Sequence, residues 1–329
     1  MISDSYVCPI TKSRLTERND GLMRDDGTIY PYIIEMLPNN RIPNFLHTRD
    51  MHEKLRESLD MYDTHTSADI YRNFLDWLFL TFNESETAFR QALSSKLNVD
   101  AGSRVLVTGC GLGDDLPSIM DIIGPTGSLY AQDLSPSMII AAQSKINLLE
   151  SESISKIFCS VGNAVTLPFR DGFFDAALHF GGINLFDDVA GAIREMNRVV
   201  KIGGRVVFGD EGVAPWLKRT EYGKIAICNN SLWAAEAPLS LLPETCQNAS
   251  VTWILGNCFY LVEFTVSDKL PYMNIDLVHK GRRGGSARTR YFGQLEGVKI
   301  ETKKRVLEAA SAAGMSVHDW LEKIISQAL

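Results

Sequence analysis

Apolar positions along this chain change their spacing several times, and the changes mark out its elements. Between 104 and 212, short apolar runs such as Val105-Leu-Val107, Ile157–Val161 and Val206-Val-Phe208 alternate with stretches of helical period. That alternation predicts βαβ units, hence an α/β domain built on a doubly wound, mostly parallel sheet. Upstream, Phe74, Leu75, Trp77, Leu78, Leu80 and Phe82, then Phe89, Ala92, Leu93 and Leu97, predict helices that cap the sheet within 46–100. Residues 1–45 hold two short apolar stretches separated by polar turn residues and predict a small β-rich module. Beyond 212 the pattern predicts an irregular helical segment to about 248, then β-like runs at Val251–Val266 and Tyr272–His279, then helices at Thr302–Ala313 and Ser316–Leu329. The expected division is therefore 1–45, 46–100, 101–280 and 281–329.

Composition narrows the function. A chain of 329 residues, 45% hydrophobic and 22% charged, can bury a substantial core. Its net charge of -7 and pI near 5.5 give no overall attraction to phosphate backbones, which disfavours nucleic acid. Phe74–Phe82 and Val251–Val266 are too short or too interrupted to cross a bilayer, and Met-Ile-Ser-Asp-Ser-Tyr lacks the features of a secretory signal, so a cytoplasmic location is expected. The six cysteines (Cys8, Cys110, Cys159, Cys228, Cys246, Cys258) have no C-x-x-C spacing and are expected to be buried, reduced thiols.

Candidate chemistry sits in the alternating region. Arg104-Val-Leu-Val-Thr-Gly109-Cys110-Gly111-Leu-Gly113 is a strand running into a glycine-rich turn ahead of a helix, which lets backbone approach a ligand closely. Ser128-Leu-Tyr-Ala-Gln-Asp133 is a second strand ending on a carboxylate, where both hydroxyls of a ribose could be accepted, with Ser135-Pro136 opening the next helix. A third strand leads into Gly162-Asn163-Ala164, then Leu167-Pro-Phe, then Phe174-Asp175 at the start of a fourth. Arg194–Phe208 is a helix stopped by Gly203-Gly204 before a fifth strand.

In this order, over about residues 75–212, these stretches resemble the class I S-adenosylmethionine-dependent methyltransferases, particularly the ubiquinone/menaquinone C-methyltransferase branch. The resemblance implies a Rossmann-like fold and S-adenosyl-L-methionine as cofactor. It implies that Gly109, Cys110, Gly111 and Gly113 shape the methionine end, Asp133 and Leu134 meet the ribose, Met138 borders the adenine, Asn163 and Ala164 read its edge, and His179 lies near the donor methyl. The stretch 253–266 resembles that fold's closing antiparallel hairpin. A dinucleotide dehydrogenase is the competing reading of the glycine turn, and Leu-Pro-Phe with Lys-Ile-Gly-Gly stands against it. The N-terminus, with Cys8-Pro9, Gly27 and Tyr30-Pro31, resembles a zinc ribbon that keeps one thiolate of four, its other positions held by Thr11, Met23 and Asp26. No metal is therefore expected.

Methyl transfer from a sulfonium is an in-line displacement, so alignment matters most, and a base is needed only if the acceptor must lose a proton. Groups at the carboxyl ends of strands four and five, His179, Asn184, Asp210 and Glu211, are candidates, with His179, Asp210 and Glu211 taken as the catalytic set; a pocket-wall polar residue for His179, and helix capping or surface charge for the acids, are the plain alternatives. Lys280, Arg282, Arg283, Arg288 and Arg290 lie among glycines, where they would either clamp an anionic substrate group or simply be solvated. The tail from Val298 loosely resembles a ribbon-helix-helix unit, so a homodimer contact or packing on the core is expected. A small-molecule methyltransferase is the leading function; a protein or RNA methyltransferase and a cofactor-binding regulator are the alternatives.

Overall fold

The computed structural model describes residues 5–33, 41–46, 56, 59, 67–148, 156–280, 285–292 and 298–329. The chain forms two compact units, Met1–Leu270 and Pro271–Leu329.

The first unit opens with a four-stranded antiparallel sheet, β1 (Thr16–Glu17), β2 (Gly21–Met23), β3 (Ile29–Ile33) and β4 (Ile42–Pro43), in that order. This is the expected β-rich module. Cys8 is buried with its Sγ 3.3 Å from the Tyr30 hydroxyl and accepting the Thr11 N–H at 3.4 Å, while Asp26 pairs with Arg24. The module is fused to the rest of the unit: Tyr6 sits 5.2 Å from the Phe45 ring and 5.3 Å from Phe169, inside the apolar cluster that continues through Tyr130, Phe174 and Phe208.

Two helices follow, α1 (Ser67–Thr81) and α2 (Glu86–Ser95), the latter capped by Ser85, whose Oγ accepts the Ala88 N–H. Most of the cap predicted between 46 and 66 falls outside the described residues. The main sheet then builds from β5 (Arg104–Thr108), β6 (Ser128–Asp133), β7 (Lys156–Val161), β8 (Phe174–Phe180), β9 (Val200–Glu211), β10 (Gln247–Ile254) and β11 (Phe259–Thr265). Its order is β10-β11-β9-β8-β5-β6-β7. The five strands from β5 to β9 are parallel, and β11 runs antiparallel between β9 and β10.

Val105, Leu106 and Val107 are all buried, as a strand covered on both faces requires. Covering helices include α3 (Leu116–Ile123), α4 (Pro136–Asn147) and α5 (Val189–Val199). α4 starts where Ser135 Oγ accepts the Met138 N–H and Pro136 fills the first turn; α5 starts where Asp188 accepts the Gly191 N–H at 2.7 Å. The chain lays strands outward from β5 to β7 and then returns to place β8 on the other side. The strand order therefore reverses between β5 and β8, which opens a crevice at their carboxyl ends.

Past β9 the helical segment resolves into α6 (Glu221–Asn229) and short 3-10 turns. The run Val251–Val266 is a hairpin, broken by Leu255, Gly256 and Asn257 at positive φ. Four of the six cysteines are buried and Cys246 is partly so, whereas Cys228 on α6 is exposed, which corrects the expectation of six buried thiols.

The second unit also corrects the sequence reading. Tyr272–His279 forms no strand: every residue of it but Ile275 is exposed, and a lone strand without a partner leaves its backbone unpaired. The unit holds α7 (Ala287–Phe292), α8 (Ile300–Ala312) and α9 (Val317–Ala328). α8 already begins at Ile300, so the strand that a ribbon-helix-helix unit would use to dimerise is missing from its expected place. The predicted capping of α9 is present, with Ser316 Oγ accepting the Asp319 N–H at 3.1 Å.

Phe169 is fully buried, its ring 4.8 Å from Phe174 and 5.6 Å from Tyr130 as well as beside Tyr6. Phe169→Ala leaves a cavity at this junction and is expected to lower stability by about 3–5 kcal/mol in urea denaturation; a change under about 1 kcal/mol would show that the module and sheet do not share one core.

Candidate active site

The turn after β5 is shaped by what its glycines leave out. Gly109 has φ +64°, and a Cβ there would lie 2.7 Å from His179 Cε1, so only glycine lets the imidazole pack under the turn. Gly111, at φ +51°, faces the Tyr71 ring, 3.5 Å from where its Cβ would be. Both line a cavity of about 590 Å3 at the carboxyl ends of β5, β6 and β8. Two residues expected here stand behind the turn instead. Gly113 packs on Leu116 and Ala142, and the Cys110 thiol is buried in the apolar cluster beneath while its N–H donates to Gln132 O at 3.0 Å; neither lines the cavity.

Asp133 ends β6 at the cavity wall. One of its oxygens accepts the Gly111 N–H at 2.8 Å and the other the Ser135 N–H at 2.9 Å, which ties glycine turn to helix start. Burial pushes its carboxyl above the usual range, opposed by those backbone donors. A carboxylate offers about four acceptor sites, so two remain for a ligand's hydroxyls. Leu134, Met138, Asn163 and Ala164 line the same wall. Asn163 Oδ1 accepts the Val165 N–H at 3.0 Å, which fixes its orientation and leaves one further lone pair on that oxygen.

His179 is buried at the end of β8. Its Nδ1 lies 2.8 Å from the Thr108 carbonyl, and since a carbonyl only accepts, Nδ1 carries the proton and Nε2 the free lone pair. Nε2 is buried without a hydrogen-bond partner among the described residues. Burial holds the ring below the ordinary histidine range, against the pull of Asp210. Glu211, at the end of β9, also lines the cavity; burial, and then the neighbouring Asp210, push its carboxyl up to about 9. Asp210 behaves differently. It is fully buried, accepts the Asn184 N–H at 2.6 Å and the Glu211 N–H at 2.8 Å, and is absent from the cavity wall. Its expected direct catalytic role is therefore corrected to positioning: it holds the 183–185 turn, where Asn184 Nδ2 in turn donates to Glu211 O at 2.8 Å.

The structure adds residues that spacing did not reveal. Arg90, on α2, reaches the cavity and donates to Asp115 at 2.6 Å and to Glu86, and Asp115 lines the same end. Phe74, Phe79, Phe89, Phe180, Phe186 and Phe259 also line the cavity, Phe79 with its ring centroid 6.0 Å from the Arg90 guanidinium. Arg282 and Arg283 lie outside the described residues, and Arg288 is paired with Asp276 at 2.6 Å.

Residues 79–211 match the ubiE/COQ5 methyltransferase family. A demethylmenaquinone methyltransferase from Bacillus licheniformis is 33% identical over 138 residues, 42% of this chain and 57% of the relative. One from a Geobacillus species is 28% identical over 157 residues, 48% of this chain and 61% of that one. The matches thus span about three-fifths of the length of these curated relatives. A Haemonchus contortus phosphoethanolamine N-methyltransferase, solved with S-adenosylmethionine, superposes with TM-score 0.50 at 12% identity, over 68% of this chain and 62% of that one, and shares the fold. The match to the ubiE/COQ5 methyltransferase family therefore runs from the end of α1 to the end of β9, across the strands whose carboxyl ends form the crevice.

Proposed function

We propose that the cavity binds S-adenosylmethionine and transfers its methyl group to a small, largely apolar acceptor of quinone type. The observation that carries this reading is a cavity lined together by the Gly109–Gly111 turn, Asp133 and a group of aromatic side chains. The residues fit the cofactor: the turn offers a space that a Cβ would fill, and His179 Nε2 is a buried lone pair awaiting a partner. Asp133 would accept the ribose hydroxyls, Asn163 and Ala164 would border the adenine, and Arg90 with Asp115 would complement the carboxylate and ammonium of the methionine end. When bound, the cofactor supplies a methyl group already activated by its sulfonium.

Among the described residues of the first unit, the lining is largely apolar and holds Arg90 as its one Lys/Arg cation. Among the described residues, acids outnumber cations on the lining even without Glu211, Asp115, Asp133, Asp187 and Asp188 against Arg90, which argues against an anionic acceptor. Neutral His179 would take the hydroxyl proton of a phenol-type acceptor through Nε2, raising electron density at the ring carbon to be methylated. Nδ1–H would stay on the Thr108 carbonyl, and Asp210 nearby would favour the imidazolium that forms. Glu211, protonated at neutral pH, would donate to an acceptor oxygen.

Titration of the purified chain with S-adenosylmethionine tests the reading directly. Asp133→Ala should weaken binding by on the order of 2–3 kcal/mol through loss of charge-assisted hydrogen bonds; unchanged affinity, or NAD binding in its place, would overturn it. With a quinol acceptor, the rate should hold to pH values below the ordinary histidine range and decline near 9 as Glu211 ionises, and His179→Asn should abolish the acid limb. The sign for stability follows from linkage. Between the ordinary glutamate value of 4.5 and about 9 the folded state keeps a proton that the unfolded state releases, so stability falls as pH rises through that window. Glu211→Gln should therefore flatten the loss of melting temperature between pH 6 and pH 8; a parallel loss in both proteins would exclude an elevated Glu211.

A further inference from the structure

The β-rich module of the first 46 residues lies outside the segment that matches the methyltransferase family, yet Pro9, Ile10, Tyr30, Phe45 and Leu46 line the cavity. Their placement follows from how the module is fastened. Asn44 forms a parallel bridge with Val161, the last residue of β7, and the Phe45 N–H donates to the Val161 carbonyl at 2.8 Å. The chain then turns, with Asn44 Oδ1 accepting the Leu46 N–H at 2.9 Å. The next residue after Val161 is Gly162, where a Cβ would stand 3.7 Å from Phe45 Cβ, and after it come Asn163 and Ala164.

A second fastening holds the far end of the same stretch. Val7 N–H donates to Pro168 O at 2.9 Å, and Lys12 Nζ donates to Leu167 O at 3.1 Å and to Glu195 at 2.9 Å. The Leu167 N–H meets that same Glu195 carboxylate at 2.8 Å. Residues 161–168 are thus gripped at both ends by the module. Phe45 is itself held between the Tyr6 and Tyr30 rings, at 5.2 and 5.3 Å, while Leu46 is only half-buried and free to be covered further.

We infer that the N-terminal module is a working wall of the cofactor pocket: Phe45 and Leu46, laid along the edge of β7 beside Asn163 and Ala164, close the adenine side. The inference rests on the S-adenosylmethionine reading above and deepens it. Apolar side chains of this kind pack on the flat face of a purine and keep water from its hydrogen-bonding edge, which strengthens the polar contacts made there. The module takes the place of a docking domain for a macromolecule in this account, and its ligand is the adenosine half of the cofactor.

The test compares full-length wild type with Leu46→Ser, Leu46→Met and Phe45→Leu by calorimetric titration against S-adenosylhomocysteine and, separately, adenosine. Leu46→Ser should lose about tenfold in affinity, the worth of one partly buried leucine, and by the same factor for both ligands because the adenosine half is common to them. Leu46→Met, which keeps the apolar surface, should retain wild-type affinity and so separates contact from misfolding; Phe45→Leu should lose affinity equally for both ligands. Equal affinities in wild type and Leu46→Ser would overturn the inference, as would a loss confined to S-adenosylhomocysteine, which would put the effect at the methionine half. Wild type that binds neither ligand would overturn the cofactor assignment itself, and the adenine-side role with it.

Discussion

A Cβ on Gly109 would stand 2.7 Å from His179 Cε1, nearer than two carbons can come, and the arrangement of the cavity follows from that missing atom. With the space free, the imidazole tucks beneath the turn and donates from Nδ1 to the Thr108 carbonyl, one residue before the glycine. The bond ties β8 to the end of β5, the two strands between which the sheet reverses order, and it settles the tautomer. A positive φ at the same residue turns the chain so that the Gly111 N–H reaches Asp133. One vacancy in a side chain thus aligns an imidazole, a turn and a carboxylate contributed by three strands.

The neighbouring acids show how a strand divides roles between adjacent residues. Asp210 and Glu211 follow one another at the end of β9, close enough that Asp210 helps push the Glu211 carboxyl up. Asp210 is buried and accepts two backbone N–H groups, whereas Glu211 lines the cavity with its carboxyl pushed up to about 9. The energetic cost of burying Glu211 is borne by the rest of the fold, as is usual where a site needs a group in an unfavourable state. Tyr260 adds to the framework, donating to Asn184 Oδ1 at 2.9 Å and so bracing the turn that Asp210 caps.

Much of this was legible from local pattern. Continuous apolar runs named the parallel strands, Asp133 was readable at a strand end, and Ser135-Pro136 marked the helix start that the structure shows. What stayed hidden depends on contacts between distant residues. Arg90 meets Asp115 across 25 positions, and helical spacing says only which face is apolar. Asn44 reaches Val161 from another sheet, which no local signal encodes. The opposite failure is Tyr272–His279, where apolar alternation was present and a partner strand was not.

The insertion of β11 between β9 and β10 sets an order on synthesis. As the polypeptide leaves the ribosome, β9 is complete at residue 211 but stays an open edge until residue 265 has emerged, because the strand that seals it comes after the one that forms the outer edge. The first 46 residues wait as well, since their anchor at Val161 is made more than a hundred residues later. Both borders of the sheet are thus finished by long-range pairings, which are slow to find and leave sticky edges in the interim. A nascent chain of this protein would depend on protection of those edges during translation, and ribosomal pausing before residue 265 would present them longest.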